Sequence, residues 1–283
     1  MIFCLLTMKK VIVIIFLLTV LHGQSQEKSG AKTTIHRSGK KNILLDYYFN
    51  NEYRLNAAGQ MERFHYTWED TTNSGYSLLG DIFRKQGANL AQLTSAPSAS
   101  HLKNASVYII ADPDTDKETD HPNYVQPHDV QTIFDWVKAG GVLLLLTNDS
   151  GNAEFPHFNQ LEAKFGIRFN ENSINKVKAD HYETGAFTIG AGDAIFKTAR
   201  KIYIKELCTM ELNASAKAHF KNAEGEIIMA IAKIGKGTVF AVGDPWFYNE
   251  YLDGRKLPAE YENYNAASDL VKWLLQQVPA KAK

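Results

Sequence analysis

The stretch that decides the fold is QPHDVQTIFDWVKAGGVLLLLTND, residues 126–149. Its first half reads as a helix. Pro127 suits a first turn, where its missing N–H leaves nothing unpaired, and Val130, Ile133, Phe134 and Val137 recur on one face at helical spacing. Gly140 and Gly141 then stop it. The five residues that follow, Val142 to Leu146, are all apolar and show no alternation. A strand with no polar face is buried on both sides, and burial on both sides calls for helices above and below a parallel sheet.

Working outward, the same grammar repeats. NILLDYYF (42–49) and SVYIIADPD (106–114) are apolar runs of strand length that end in polar residues. NSGYSLLGDIFRKQG (73–87) puts Leu78, Leu79, Ile82 and Phe83 on one helical face, with Asn73 or Ser74 as N-cap and Gly87 past the end. Phe158, Leu161 and Phe165 mark another helix, and NAASDLVKWLLQQ (265–277) a last one with Leu270, Val271, Leu274 and Leu275 inward. Between them, after GIRFN (166–170), shorter alternating runs read as antiparallel strands, with Gly235 and Gly237 in a hairpin turn. The expected fold is therefore α/β: a doubly wound, mostly parallel sheet with additional antiparallel strands in the C-terminal half.

Lys9 and Lys10 precede the apolar run VIVIIFLLTVL (11–21) and the small polar residues of HGQSQ (22–26), the pattern of a secretory signal. The expected organisation is a signal peptide at 1–25, a disordered lead-in at 26–41 and a single α/β domain at 42–283, exported to the periplasm with no stable membrane anchor after cleavage. Of two cysteines, Cys4 belongs to the leader, so Cys208 stands alone and no internal disulfide is expected. The 283 residues carry 31 basic and 31 acidic side chains. Such a balance gives no long-range field to gather nucleic acid, and any bound anion is small and held by a few local groups.

In a parallel sheet the ligand crevice lies beyond the carboxyl ends of the strands. Four strand ends release polar groups there: Asp46, Asn50, Asn51 and Glu52; Asp112 and Asp114; Asn148, Asp149, Asn152, Glu154 and His157; and, in FAVGDPWFYNEYLDGRKLP (240–258), Asp244, Trp246, Tyr248, Tyr251 and Arg255. Arg63, His65, Tyr66, Trp68 and Glu69 precede a helix start. Strand-end Asp and Asn are also ordinary turn formers and caps. Aromatics mixed with amides and carboxylates suit a sugar subsite, where ring faces stack on C–H surfaces and polar groups take hydroxyls.

Sharper chemistries fail on spacing. DPDTDKETDHPN (112–123) alternates acids like a calcium loop but has Lys117 where Gly is needed and Asn123 where the bidentate Glu belongs. No phosphate loop or dinucleotide fingerprint is present, and Ser150 lacks the Gly-x-Ser-x-Gly frame of a nucleophile elbow. No metal and no cofactor is expected.

TNDSGN (147–152) after the central strand and AVGDPWF (241–247) near the end resemble the class I glutamine-amidotransferase-like superfamily. Where that superfamily carries its cysteine nucleophile this chain has Asn148, Asp149 and Ser150, and where it carries His-Pro-Glu this chain has Asp244, Pro245 and Trp246; the resemblance does not imply amidotransferase activity. More closely, FHYTWEDTTNSGYSLLG (64–80), DPDTDKET (112–119), NDSGNAEFPHFNQL (148–161) and GDPWFYNEYLDGRKLPAEYEN (243–263) resemble the exported domain that accompanies unsaturated-glucuronyl hydrolases in polysaccharide-degrading bacteria. That resemblance implies a dehydratase removing water from the non-reducing-end glucuronic or iduronic acid of ulvan-type oligosaccharides, whose 4,5-unsaturated product those hydrolases consume. The implied partner is an anionic oligosaccharide of uronic acid and sulfated rhamnose.

Such a reaction needs a base for the C5 proton, a group to neutralise the adjacent carboxylate, and an acid for the 4-hydroxyl. His65, Tyr66, His157 and Tyr248 are candidate acids and bases, with Glu154 orienting a histidine. Arg255, Arg63 or Lys205 could clamp the carboxylate, and Asn50, Asn51, Glu52, Trp68, Asn148, Asn152, Asp244 and Trp246 could hold the sugar. Two other readings stand beside it: a non-catalytic carbohydrate-binding accessory domain, and a glycosidase using paired carboxylates such as Glu52 and Glu154.

Overall fold

A computed structural model describes residues 39–213 and 216–280; the expected leader and nearly all of the lead-in lie outside the described residues. The described residues belong to one compact unit. The chain runs β1 (Asn42–Asp46), β2 (Tyr53–Leu55), β3 (Met61–Arg63), α1 (Ser77–Lys85), β4 (Asn89–Leu93), α2 (Ala99–Leu102), β5 (Val107–Ala111), α3 (Pro127–Ala139), β6 (Val142–Leu146) and α4 (Phe158–Glu162). It continues through β7 (Ile167–Phe169), β8 (Ala186–Thr188), β9 (Lys201–Tyr203), β10 (Met210–Leu212), β11 (Ala216–Lys221), β12 (Ile227–Ile234), β13 (Gly237–Val242), α5 (Asn249–Leu252) and α6 (Asn263–Gln277).

The main sheet has the order β4-β1-β5-β6-β13-β12-β10-β7, with β11 also on β12. The strands from β4 to β13 are parallel, and those beyond β13 are antiparallel. Numbered by occurrence, the parallel part reads 2-1-3-4-5, the flavodoxin-like doubly wound order, whose switch point lies between its first and third strands, here β1 and β5. The fold is the expected one. β13 joins its two parts: it turns back from β12 through Gly235 and Lys236 and pairs in parallel with β6.

Alternate residues of the central strands feed two cores, which is why their sequences show no polar face. Ile43, Leu45, Val107, Ile109, Leu144 and Phe240 pack with Leu79, Ile82 and Phe83 of α1 and Leu270, Val271 and Leu274 of α6. Leu44, Tyr108, Ile110, Leu143, Leu145 and Val239 pack with Val130, Ile133 and Val137 of α3 and Phe158 and Leu161 of α4. Pro127 opens α3, and the Asp129 carboxylate accepts from the Gln126 N–H at 3.0 Å, which satisfies a donor the helix start would otherwise leave unpaired.

Three local features differ from expectation. α1 begins at Ser77 rather than beside Asn73 or Ser74, because the orphan Leu78 N–H is met from far along the chain by Asn249 Oδ1 at 3.0 Å. The ribbon β2–β3 has short, largely exposed strands without a hydrophobic alternation to announce it. β8 and β9 pair with each other outside the main sheet. No helix among the described residues is long and apolar enough to cross a membrane.

Candidate functional site

β5, β6 and β13 are neighbours that end together, and Asp112, Asn148 and Asp244 follow their last residues by one or two positions. These three side chains floor a cavity of about 260 Å³ at the carboxyl edge of the sheet. His65 and Tyr66, leaving the β2–β3 ribbon, make one wall together with Asn73 and Ser74 ahead of α1. Glu118 and Asn152 enter from the loops after β5 and β6, while Lys205, Glu206, Tyr248, Glu250 and Tyr251 close the far side.

Backbone strain concentrates here. Among the described residues six non-glycines have positive φ, and four of them line the cavity: His65 (55°), Tyr66 (44°), Asp112 (47°) and Glu206 (49°). A left-handed conformation at a bulky residue costs free energy and persists only where its surroundings hold it. The fold accepts that cost mainly where side chains are turned toward this hollow.

The electrostatics divide into a dyad, a set of proton-bearing groups and one cation. Glu52, buried behind the wall, lies 2.6 Å from His65 Nδ1. A carboxylate there accepts a hydrogen bond from Nδ1–H, fixing the tautomer that leaves Nε2 as acceptor. Asp112 and Asp244 are almost wholly buried, and burial above all pushes both carboxyls well above the usual range; the Glu118 carboxylate adds to the push on Asp112. One carboxyl oxygen of each has no hydrogen-bond partner among the described residues. Glu118 is raised as well, again by burial first. Tyr66 and Tyr248, with ring centroids 5.7 Å apart, are held far above the ordinary phenol value by burial and then by neighbouring carboxyls, and the Tyr248 hydroxyl points at Asp244 Oδ2 at 3.4 Å. Asp112, Asp244 and the two phenols present protons rather than charge. Lys205, paired with Glu206 at 3.0 Å, is the lysine on the lining.

The structure brings together His65, Tyr66, Asn148, Asn152, Asp244 and Tyr248 of the expected residues, and puts Glu52 directly behind His65. It places the others elsewhere. Trp246 is fully buried, between Phe196 and Phe247, and Trp68 lies in the same core with its indole N–H on the Ala91 carbonyl at 3.1 Å; neither ring is open to a sugar. Asn50 donates to the Asp112 carbonyl at 3.1 Å, and the Asn51 N–H to Asp114 at 2.7 Å. Both brace strand ends beneath the hollow.

Glu154 accepts from the His157 and Phe158 N–H groups at 3.0 Å and meets His157 Nδ1 at 2.7 Å, while the His157 ring stacks on Tyr124 at 4.6 Å. That pair organises the start of α4 and does not line the cavity, so Glu52 and Glu154 do not form a facing carboxylate pair either. Arg255 is exposed, bound to Asp253 and to Asn73 at 3.1 Å, outside the lining. Arg63 spends its guanidinium on the Tyr47 and Asn50 carbonyls. Glu118 and Glu206 enter the lining without a sequence signal, because each sits in an irregular loop, whereas Glu250 belongs to the polar stretch 240–258 that follows the last strand. Among the described residues no group of three His, Cys, Asp or Glu is disposed to hold a metal ion.

No protein-family model matches the chain, and no curated protein sequence matches it significantly. Among solved structures it is similar to the N-terminal domain of mmIFT52, with a TM-score of 0.62 and 17% identity over 83% of this chain and 97% of that one. It is also similar to a cytoplasmic protein of Salmonella typhimurium LT2, with a TM-score of 0.52 and 13% identity over 84% of this chain and 100% of the other. A GMP synthase-type chain from Thermoplasma acidophilum gives a TM-score of 0.44 and 10% identity, over 84% of this chain and 94% of that one. The first two likenesses show the α/β fold.

Proposed function

We propose that the protein is a carbohydrate-active dehydratase that eliminates water from the non-reducing-end uronic acid of ulvan-type oligosaccharides. The product would be a 4,5-unsaturated uronyl residue, the substrate of unsaturated-glucuronyl hydrolases acting next in the same exported system. The observation that carries the reading is the Glu52–His65 dyad at the edge of a cavity that also holds the buried carboxyls of Asp112 and Asp244, the phenols of Tyr66 and Tyr248, and Lys205 beside Glu206.

Each demand of the elimination has a group to meet it. His65 Nε2 is the acceptor for the C5 proton, and the Glu52 carboxylate stabilises the imidazolium that forms. Lys205 faces the sugar carboxylate, on which charge builds as the proton leaves. Five acidic side chains line the hollow, and an anionic sugar enters only if the buried pair among them, Asp112 and Asp244, is neutral; burial pushes both toward the neutral form. The volume of about 260 Å³ is slightly below the range of drug-sized ligand sites, in keeping with one terminal sugar ring and not a threaded chain.

A module that only binds carbohydrate would present open aromatic faces, whereas Trp68 and Trp246 are buried; the hollow offers proton chemistry in their place. The test is incubation of the purified protein with a saturated uronyl–rhamnose-sulfate oligosaccharide. Loss of one water with new ultraviolet absorbance supports the reading. Binding at unchanged mass, or cleavage of the glycosidic bond, refutes it.

A further inference from the structure

The elimination also needs a proton for the departing hydroxyl, and the cavity holds two kinds of donor. The phenols of Tyr66 and Tyr248 are held well above their ordinary value. Such groups donate hydrogen bonds but release protons reluctantly, and general acids work best when their acidity is matched to the operating pH. Asp112 is different in place and in chemistry. It follows the last residue of β5, on the strand beside the switch point, and its backbone is held left-handed at φ 47°. The Asn50 side chain grips its carbonyl at 3.1 Å and its N–H donates to the Leu146 carbonyl at 2.8 Å, so the residue is fixed from both sides.

The residue is 3% exposed and lines the hollow, and its Oδ1 has no partner among the described residues. A buried carboxyl oxygen left unpaired by a fold that pairs most of its polar groups is a cost without structural return. Burial first, then the neighbouring acids Glu118, Glu52 and Asp114, disfavour its charge, and a hydrogen bond from the Asn148 side chain is the one influence that works the other way. No cation is among these neighbours to hold it ionised, so the group carries a proton into the cavity.

We propose that Asp112 is the general acid of the dehydration, a catalytic residue that protonates the 4-hydroxyl as it leaves. The inference rests on the dehydratase reading. In the step, the C5–H bond breaks with its proton passing to His65 Nε2, the electron pair forms the C4–C5 double bond, and the C4–O bond breaks with its electrons on oxygen. Asp112 supplies the proton that makes this oxygen water. The imidazolium and the Asp112 carboxylate then return to their starting states by exchange with solvent, so the cycle consumes no other reactant.

The experiment compares two substrates: the saturated oligosaccharide, and its analogue bearing fluorine in place of the terminal 4-hydroxyl. Fluoride departs without a proton. Asp112→Asn suits the site, because asparagine is isosteric and among the residues best able to occupy a left-handed position. The expected result is a fall of about 10²–10⁴-fold on the hydroxyl substrate and a near wild-type rate of fluoride release, whereas His65→Ala fails on both. Urea unfolding reports that Asp112→Asn is folded. Equal loss on both substrates, or no loss on the hydroxyl substrate, overturns the assignment alone. A wild-type protein that acts on neither substrate overturns the dehydratase reading and this assignment with it.

Discussion

Asn249 offers the sharpest structural prediction, because one fully buried side chain ties three parts of the site's rim together. Its Oδ1 accepts from the Leu78 N–H at 3.0 Å, capping α1, and its Nδ2 reaches the carbonyls of Asp70 at 3.0 Å and Thr72 at 2.9 Å and the Ser77 hydroxyl at 3.0 Å. Truncation to alanine removes these bonds and leaves a helical N–H and two carbonyls facing a space that its burial keeps from water. A hydrogen bond contributes about 0.5–1.5 kcal/mol net, and a buried group left unpaired costs about 1–3 kcal/mol. Allowing Ser77 to turn elsewhere, Asn249→Ala should destabilise by about 3–5 kcal/mol, a large fraction of a typical domain's stability. Urea unfolding followed by tryptophan fluorescence should show an earlier midpoint at unchanged slope. A loss below about 1 kcal/mol would mean that the loop from Asp70 to Ser77 and α5 hold their places without this amide, and the account of the rim would fail.

Glu52→Gln keeps the size of the side chain but weakens the support for an imidazolium at His65; with charged hydrogen bonds contributing about 1.5–3 kcal/mol, kcat for unsaturated product should fall by about 10- to 10²-fold with KM little changed, and an unchanged kcat would remove the dyad from the mechanism. Asp114 is pushed up to about 8 from an ordinary 3.8, mainly by burial. The folded protein therefore holds that proton more tightly than the unfolded chain, and stability should decline as pH rises from about 4 to about 8. Asp114→Asn keeps an acceptor for the Asn51 N–H and should flatten the decline and raise stability at pH 8, whereas unfolding curves parallel to wild type would contradict the shift. Gly243→Ala would set a Cβ 1.9 Å from the Cys208 carbonyl oxygen, while an added Cβ at Gly190 meets nothing within 4 Å. The first substitution should cost more than about 3 kcal/mol or yield insoluble protein, as overpacking against fixed backbone does, and Gly190→Ala should unfold close to wild type; similar midpoints for the two would contradict the packing at the end of β13.

The fold was legible where the physics is local or periodic. Val142 to Leu146 had to be buried on both faces, and Pro127 with the glycines at 140 and 141 bounded α3; those signals need no knowledge of the rest of the chain. The rule that ligands collect at the carboxyl ends of parallel strands placed Asn148, Asn152, Asp244 and Tyr248 correctly at one edge. It could not say which way a side chain points there. Trp246 sits two residues beyond Asp244, yet it is fully buried while Tyr248 lines the hollow, because the turn through Pro245 sends the indole into the core with Phe196 and Phe247. Large rings are most often core residues, and their amphipathic chemistry gave the sugar expectation more weight than their size warranted. Glu154 and His157 show the same effect: a carboxylate three residues before a histidine can serve a catalyst or a helix start, and here it serves the start of α4. Glu52 behind His65 was beyond reach because it depends on the register of the β2–β3 ribbon, whose short exposed strands carry no apolar pattern.

The central claim is one of place, that a single terminal uronic acid sits in the hollow between His65, Lys205 and Asp112. A crystal structure of His65→Ala, with its base removed, soaked in the saturated oligosaccharide tests it most directly. The account predicts the terminal ring in this hollow, its carboxylate on Lys205, C5 toward the space left by the imidazole and the 4-hydroxyl against Asp112. A sugar bound at any other surface, or a hollow that stays empty at saturating oligosaccharide, would contradict it.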